Sequence, residues 1–162
     1  MADSANQVFD YIERFTTVLV AAGMPPMPSR VFVALLVADG RMSAAELAST
    51  LHISAGAVSG AVRYLVPLGL VTRERVPGSR RDYYRVPGDV WTVIMRMREQ
   101  VMDRWTAMVR EGIELVGPST PAGRRMAEHA EFFEFVTAEL DGVLKRWERR
   151  RSIHRRPARP AR

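Results

Sequence analysis

The sequence predicts a mainly α-helical fold with a small β-wing, a hairpin carried beside the helices, and long helical arms. Three observations predict it. Apolar side chains recur at helical spacing through most of the chain; one segment reads as two extended runs about a Pro-Gly-Ser turn; and two stripes toward the C-terminal end repeat every seven residues. The 162 residues suffice for one domain or two small lobes around a core. With 47% apolar and 26% charged residues, the balance is that of a globular chain rather than a disordered or membrane one. The longest apolar run, Val31 to Ala38, cannot span a bilayer, and the first residues lack a basic segment ahead of an apolar one. A cytoplasmic protein with no membrane partner is expected.

The first helix covers residues 4–22, where Val8, Phe9, Ile12, Phe15, Leu19 and Val20 share a face; Gly23, Pro25, Pro26 and Pro28 end it. Ser29 is placed to cap a second helix running through Ala38, whose near-uniform apolarity predicts burial. Ser43 followed by Glu46 spells a capping box, with Met42 and Leu47 as its hydrophobic staple, so a short third helix starts at Ala44 and ends about Leu51. Ser54 caps a fourth, on which Val58, Ala61, Val62 and Leu65 line one face and Ser59, Gly60 and Arg63 the other. Leu70–Val76 and Arg80–Val86 then form a hairpin around Pro77, Gly78 and Ser79. Asp89 caps a long helix to about Val116, with Ile94, Val101, Met108 and Leu115 at seven-residue intervals. Gly117 and Pro118 break it. Thr120, with Pro121 at the first helical position, opens a last helix on which Met126, Phe133, Leu140 and Trp147 repeat the interval, flanked by Ala130 and Leu144. Each stripe needs a helix to cover it, from within the chain or from a second subunit.

Net charge is +6, but it is unevenly placed. Residues 1–40 carry −2, residues 41–86 carry +4, residues 87–144 carry −4 and residues 145–162 carry +8. The basic segment at 41–86, between two acidic ones, marks a polyanion surface better than the total does. The terminal arginines, interrupted by Pro157 and Pro160, read as a mobile arm.

The order helix, helix, short helix, helix, basic hairpin, long helices is that of a winged helix-turn-helix with helical dimerisation arms. Ala48 fits where two helices crossing at a tight turn leave room for little more than a methyl group. His52 occupies the turn position that many such motifs give to glycine, and histidine tolerates the left-handed conformation better than most residues. The phrases SAAELASTLHISAGAVSGAVRYLVPLGLVTRERV and PGSRRDYYRVP, within Arg41–Pro87, resemble the MarR superfamily of bacterial transcription regulators. The second is most similar to the GbsR-like branch, whose named member regulates glycine-betaine synthesis from choline. The resemblance implies a homodimer on a pseudo-palindromic operator. It also implies that a small-molecule effector of unspecified class, bound between the reading heads and the dimer helices, is a candidate partner, as in many members.

The residue chemistry points to double-stranded DNA independently. A recognition helix in the major groove needs short polar or basic side chains: Ser54, Ser59 and Arg63 lie on the free face, and Ala55 and Gly60 allow close approach. Gly60 departs from the long polar residue common there in the family, which thins direct base readout. Around the hairpin tip, Arg73, Arg75, Ser79, Arg80, Arg81 and Arg85 suit phosphates and a minor groove. The competing reading for each arginine is a solvated charge that keeps a sheet edge from pairing. Asp82 is expected to orient an arginine rather than meet DNA.

Phe15, Trp91, Met95, Met102 and Trp105 are the candidate effector-pocket residues, set against the equally open reading that they are helix packing. Catalysis is not expected, nor is a metal or cofactor: His52, His129 and His154 are scattered, Gly56 and Gly60 match no nucleotide loop, and there is no cysteine. The predicted organisation is an N-terminal helix in a dimer lobe (1–28), the DNA-binding unit (29–88), dimerisation helices (89–151) and a basic tail (152–162). The function expected is a repressor; a sequence-tolerant architectural DNA-binding protein without effector is the alternative, favoured by Gly60 and the tail.

Overall fold

In a computed structural model the chain forms six helices and a three-stranded sheet among the described residues, 2–78 and 81–154. Two compact units meet in sequence at Val90 and Trp91. The first holds α1 (Ala2–Ala21), α2 (Pro26–Val37), β1 (Met42–Ser43), α3 (Ala44–Leu51), α4 (Ala55–Leu65), β2 (Thr72–Arg75) and β3 (Asp82–Arg85). The second is built from α5 (Val90–Val116) and α6 (Pro121–His154).

Helix α2 is the axle of the first unit. Val31, Phe32, Val33, Ala34 and Leu35 are all buried, because α1, α3, α4 and β3 pack around it. Its start differs from the sequence expectation. Ser29 is not the cap: the helix begins at Pro26, since proline fits the first helical turn, where its missing N–H would have had no partner. Ser29 lies buried inside the helix, its hydroxyl donating to the Pro25 carbonyl at 2.8 Å. Arg30 ties three helices together, pairing with Glu13 of α1 and donating to the Leu51 carbonyl at 3.3 Å.

The helix-turn-helix is set by local hydrogen bonds. The Ser43–Glu46 capping box is complete, with the Ser43 N–H donating to Glu46 at 2.6 Å and the Glu46 N–H to the Ser43 hydroxyl at 3.3 Å. Hydrogen bonding to the Glu46 carboxyl, from the Ser43 side chain most and then from the Ser43 backbone N–H, holds it below its usual range. His52 ends α3 in the left-handed conformation at φ 52°, and its ring lies 5.7 Å from that of Phe9 on α1. Ser54 caps α4 by accepting from the Ala57 N–H at 3.1 Å. Val58, Ala61, Val62 and Leu65 bury one face, as their spacing predicts.

The sheet has an unexpected third strand. Its antiparallel order is β1-β3-β2, with Met42 opposite Tyr84 and Arg73 also opposite Tyr84 on the far side. A two-residue strand has no periodicity to read, so only the hairpin was legible.

In the second unit α5 and α6 run antiparallel: Arg96 meets Asp141, Trp105 meets Phe133, Arg110 meets Glu134, and Gly112 faces Met126. Thr120 caps α6 as expected, accepting from the Gly123 N–H at 3.0 Å. A Cβ on Gly123 would stand 2.2 Å from the Gly117 carbonyl oxygen, so the reversal requires glycine there. Ala130 and Leu144 are buried, while Met126, Phe133 and Leu140 are half-buried. The α6 stripe is thus largely consumed within the hairpin, except at Trp147, which is 46% exposed. The α5 stripe is not: Val101, Met108 and Leu115 are exposed. Helix α6 runs on to His154, past the expected boundary at 151, and the rest of the basic tail lies outside the described residues.

Candidate nucleic-acid interface

Burial of one side of α4 dictates what its other side presents. Ser54, Ala55, Gly56, Ser59, Gly60, Arg63 and Tyr64 are all exposed. The Ser54 hydroxyl oxygen is already taken as an acceptor by the cap, which leaves its proton to donate. Gly60 has open space where a Cβ would stand, so nothing in the protein's own packing needs glycine there. The face is low and uncharged except at Arg63.

The wing is different in kind. Strand register places Arg73, Arg75 and Asp82 on one side of the sheet, and Arg85, Glu74 and Tyr83 on the other. Asp82 accepts from Arg73 and lies 3.7 Å from Arg75. Hydrogen bonding from Arg73, reinforced by the charges of Arg73 and Arg75, holds the Asp82 carboxyl below the usual carboxylate range. On the opposite side Glu74 pairs with Arg85 and lies 3.7 Å from Arg41, whose guanidinium sits 5.3 Å above the Tyr83 ring. Each carboxylate therefore serves two arginines, and cationic charge remains on both sides. Asp82 orients arginines, as the sequence suggested.

Arg81 is exposed, and its charge is felt at Glu46. Ser79 and Arg80, both candidate DNA contacts, lie outside the described residues. Two residues escaped the sequence reading. Arg41 joins the wing only because β1 pairs with β3; Tyr64 falls on the exposed side of α4, four residues after Gly60, a spacing that was readable.

The five candidate pocket residues are divided. Phe15, half-buried with its ring 5.9 Å from Tyr11, belongs to the first unit. Trp91, Met95, Met102 and Trp105 belong to the second, where both tryptophans are exposed and both methionines half-buried. Neither unit alone assembles all five. His129 lies on the surface of α6, its Nδ1 2.6 Å from the Arg125 carbonyl oxygen. Among the described residues no group of three or more metal-ligating side chains comes together, and no helix is long and apolar enough to cross a membrane.

Two family models match in succession: a MarR family model over residues 22–82, and one described as an MmpR5-like MarR family transcriptional regulator over residues 89–150. Both the reading unit and the arms therefore match the same family. The chain belongs to the MarR family. This MarR-family chain is 26% identical over 145 residues to the HTH-type transcriptional regulator MmpR5 of Mycobacterium tuberculosis (strain ATCC 25618 / H37Rv), which is 88% of each chain. A crystal structure of a transcriptional regulator superposes with a TM-score of 0.75 at 25% identity, covering 88% of this chain and 99% of that one. The archaeal chromatin protein TrmBL2 shares the fold over 65% of this chain and 40% of its own, with a TM-score of 0.53 and 22% identity. This MarR-family protein is thus a DNA-binding transcriptional regulator with a winged-helix fold; the MmpR5-like family model and the MmpR5 relative are described as regulators, not enzymes.

Proposed function

We propose that this regulator is a cytoplasmic homodimeric repressor that grips a pseudo-palindromic operator with two copies of α4 and its wing. The observation that carries the reading is the pairing of surfaces in the first unit. An α4 whose free face bears small residues and Arg63 stands in the same unit as a wing with arginines on both sides. In such an arrangement the helices enter successive major grooves about 34 Å apart, and the wings meet flanking phosphates and minor groove. Ser54, Ala55, Ser59, Gly60 and Arg63 would line the groove; Arg73, Arg75, Ser79, Arg80 and Arg81 would hold the backbone.

Exposed helical seams support the dimer. On α5, Trp91, Arg98, Val101, Trp105, Met108 and Leu115 are exposed at steps of three, four or seven residues, and Met108 and Leu115 are 63% and 80% exposed. Helix α1 carries the same signature in Val8, Tyr11, Phe15 and Val18, which supports a role for residues 1–28 in a dimer lobe. A second copy offers the matching seam.

The repressor would be released by an effector that binds better when the two reading helices are mis-spaced, through its differential affinity for the two states. Trp91, Met95, Met102 and Trp105, all on α5, remain the proposed contacts within the second unit. The GbsR-like likeness rests on the wing phrase, and with it would come a quaternary ammonium ligand held by aromatic faces.

Selection of duplexes from a random pool, followed by salt-series footprinting, tests this. A repressor protects a short palindrome at least about 10³-fold more tightly than random duplex. Uniform affinity would instead support the architectural reading, which the low relief of the α4 face favours.

A further inference from the structure

We propose that Tyr64 is a DNA contact: its hydroxyl donates a hydrogen bond to a backbone phosphate on the groove wall opposite the one Ser59 meets. The inference rests on the DNA-binding reading and adds to it a residue, a partner atom and a sequence-independent role.

The argument begins with the angular layout of α4. At about 100° per residue, the exposed face is centred on the side opposite Val58, Ala61, Val62 and Leu65. Gly56, Gly60 and Arg63 fall within roughly 30° of that centre, whereas Ser59 and Tyr64 fall roughly 70° to either side of it. An α-helix with its side chains is about 10–12 Å across and the major groove about 12 Å wide. A helix seated with its exposed centre toward the base edges therefore brings its two flanks against the two sugar-phosphate walls. Ser59 occupies one flank and Tyr64 the other.

The state of Tyr64 in the protein fits such a contact. It is 40% exposed although its neighbour Leu65 is fully buried. Its hydroxyl has no hydrogen-bond partner among the described residues. Helical side chains lean toward the N-terminus, and the residue one turn back in that direction is Gly60, with nothing within 4 Å of its missing Cβ. The ring thus has an unobstructed side, and its polar tip projects from a face otherwise made of glycine, alanine, serine and one arginine. Tyrosine is among the residues that position proteins on DNA through phosphate oxygens without reading sequence.

The test is Tyr64→Phe in the full chain, measured against a duplex selected from a random pool and against a scrambled duplex of equal length, over a salt series. Loss of one hydrogen bond to a charged phosphate predicts about ten- to a hundredfold weaker binding to both duplexes, with their affinity ratio unchanged. The slope of log affinity against log salt also stays the same, because a neutral donor releases no counterion. Arg75→Ala, as a control, flattens that slope by about 0.9 if it holds one phosphate. An unchanged melting temperature shows that the Tyr64→Phe protein is intact. Wild-type affinity in Tyr64→Phe overturns the proposal, as does a loss confined to the selected duplex, which would make the hydroxyl a base reader. If the wild-type chain binds neither duplex, the DNA-binding reading falls, and this contact with it.

Discussion

The two units of the chain spend their apolar residues differently. In the first, α2 is buried almost all round and the apolar faces of α3 and α4 close over it, with the starts of α2, α3 and α4 sealed by a serine hydroxyl or a proline. In the second, the α6 stripe is covered as far as Leu144 and leaves only Trp147 open, yet α5 shows solvent a seam that includes two tryptophans, Met108 and Leu115. The helix-turn-helix core of the first unit is complete in one copy; the arms, like the outer face of α1, are complete only with something laid against them. Substitutions of similar size should therefore act on folding in that core and on assembly along α5.

The largest effect belongs to the first unit. Leu47 is fully buried, and Leu47→Ala removes packing from the helix-turn-helix, with an expected loss of about 2–5 kcal/mol in urea unfolding. A loss below about 1 kcal/mol would mean that the unit is less close-packed than its burial indicates. Met108→Glu with Leu115→Glu should do the reverse: helical content is retained because both side chains are exposed, while sedimentation shifts from dimer to monomer. Operator affinity should then fall by about 10² or more, the avidity lost when two reading heads no longer bind together. A doubly substituted protein that remains dimeric would place the interface elsewhere. Smaller again is Ser43→Ala, which opens the capping box of α3 and should cost about 1 kcal/mol in the same urea assay.

Features written in local chemistry were legible in the sequence. The capping box at Ser43, the left-handed His52, the cap at Ser54, the buried α4 quartet and the Thr120–Pro121 start of α6 each depend on residues no more than four positions from the next. Ser29 misled because two signals competed, and proline in the first turn outranked a serine that found its partner at Pro25 instead. Long-range pairing was not legible. Arg30 reaches Glu13 and Leu51, and Arg41 reaches Glu74 and Tyr83, only after the chain has folded. The heptad stripes were visible, but which would be covered within the chain was not, because the two helices carry the same seven-residue signature.

The smallest predicted effect separates the two surfaces proposed to face DNA within the first unit, the nearly neutral α4 face and the charge-laden wing. Asp82 competes with phosphate for Arg73 and Arg75, so Asp82→Asn should raise affinity for any duplex, by no more than about fivefold because exposed ion pairs are weak. The gain should vanish at high salt, and the operator-to-random ratio should not rise, since the freed arginines meet phosphate. The same pair fixes the pH response. The Asp82 carboxyl is lowered in the folded chain, so its contribution is present above the unfolded carboxylate value of about 4 and is lost only as pH falls through the lower folded one. Binding should therefore show no Asp82-dependent change between about pH 5 and 8. A difference in pH profile between wild type and Asp82→Asn within that window would show that Asp82 is not held by the arginines in solution, and that the wing carries more free charge than its ion pairs allow.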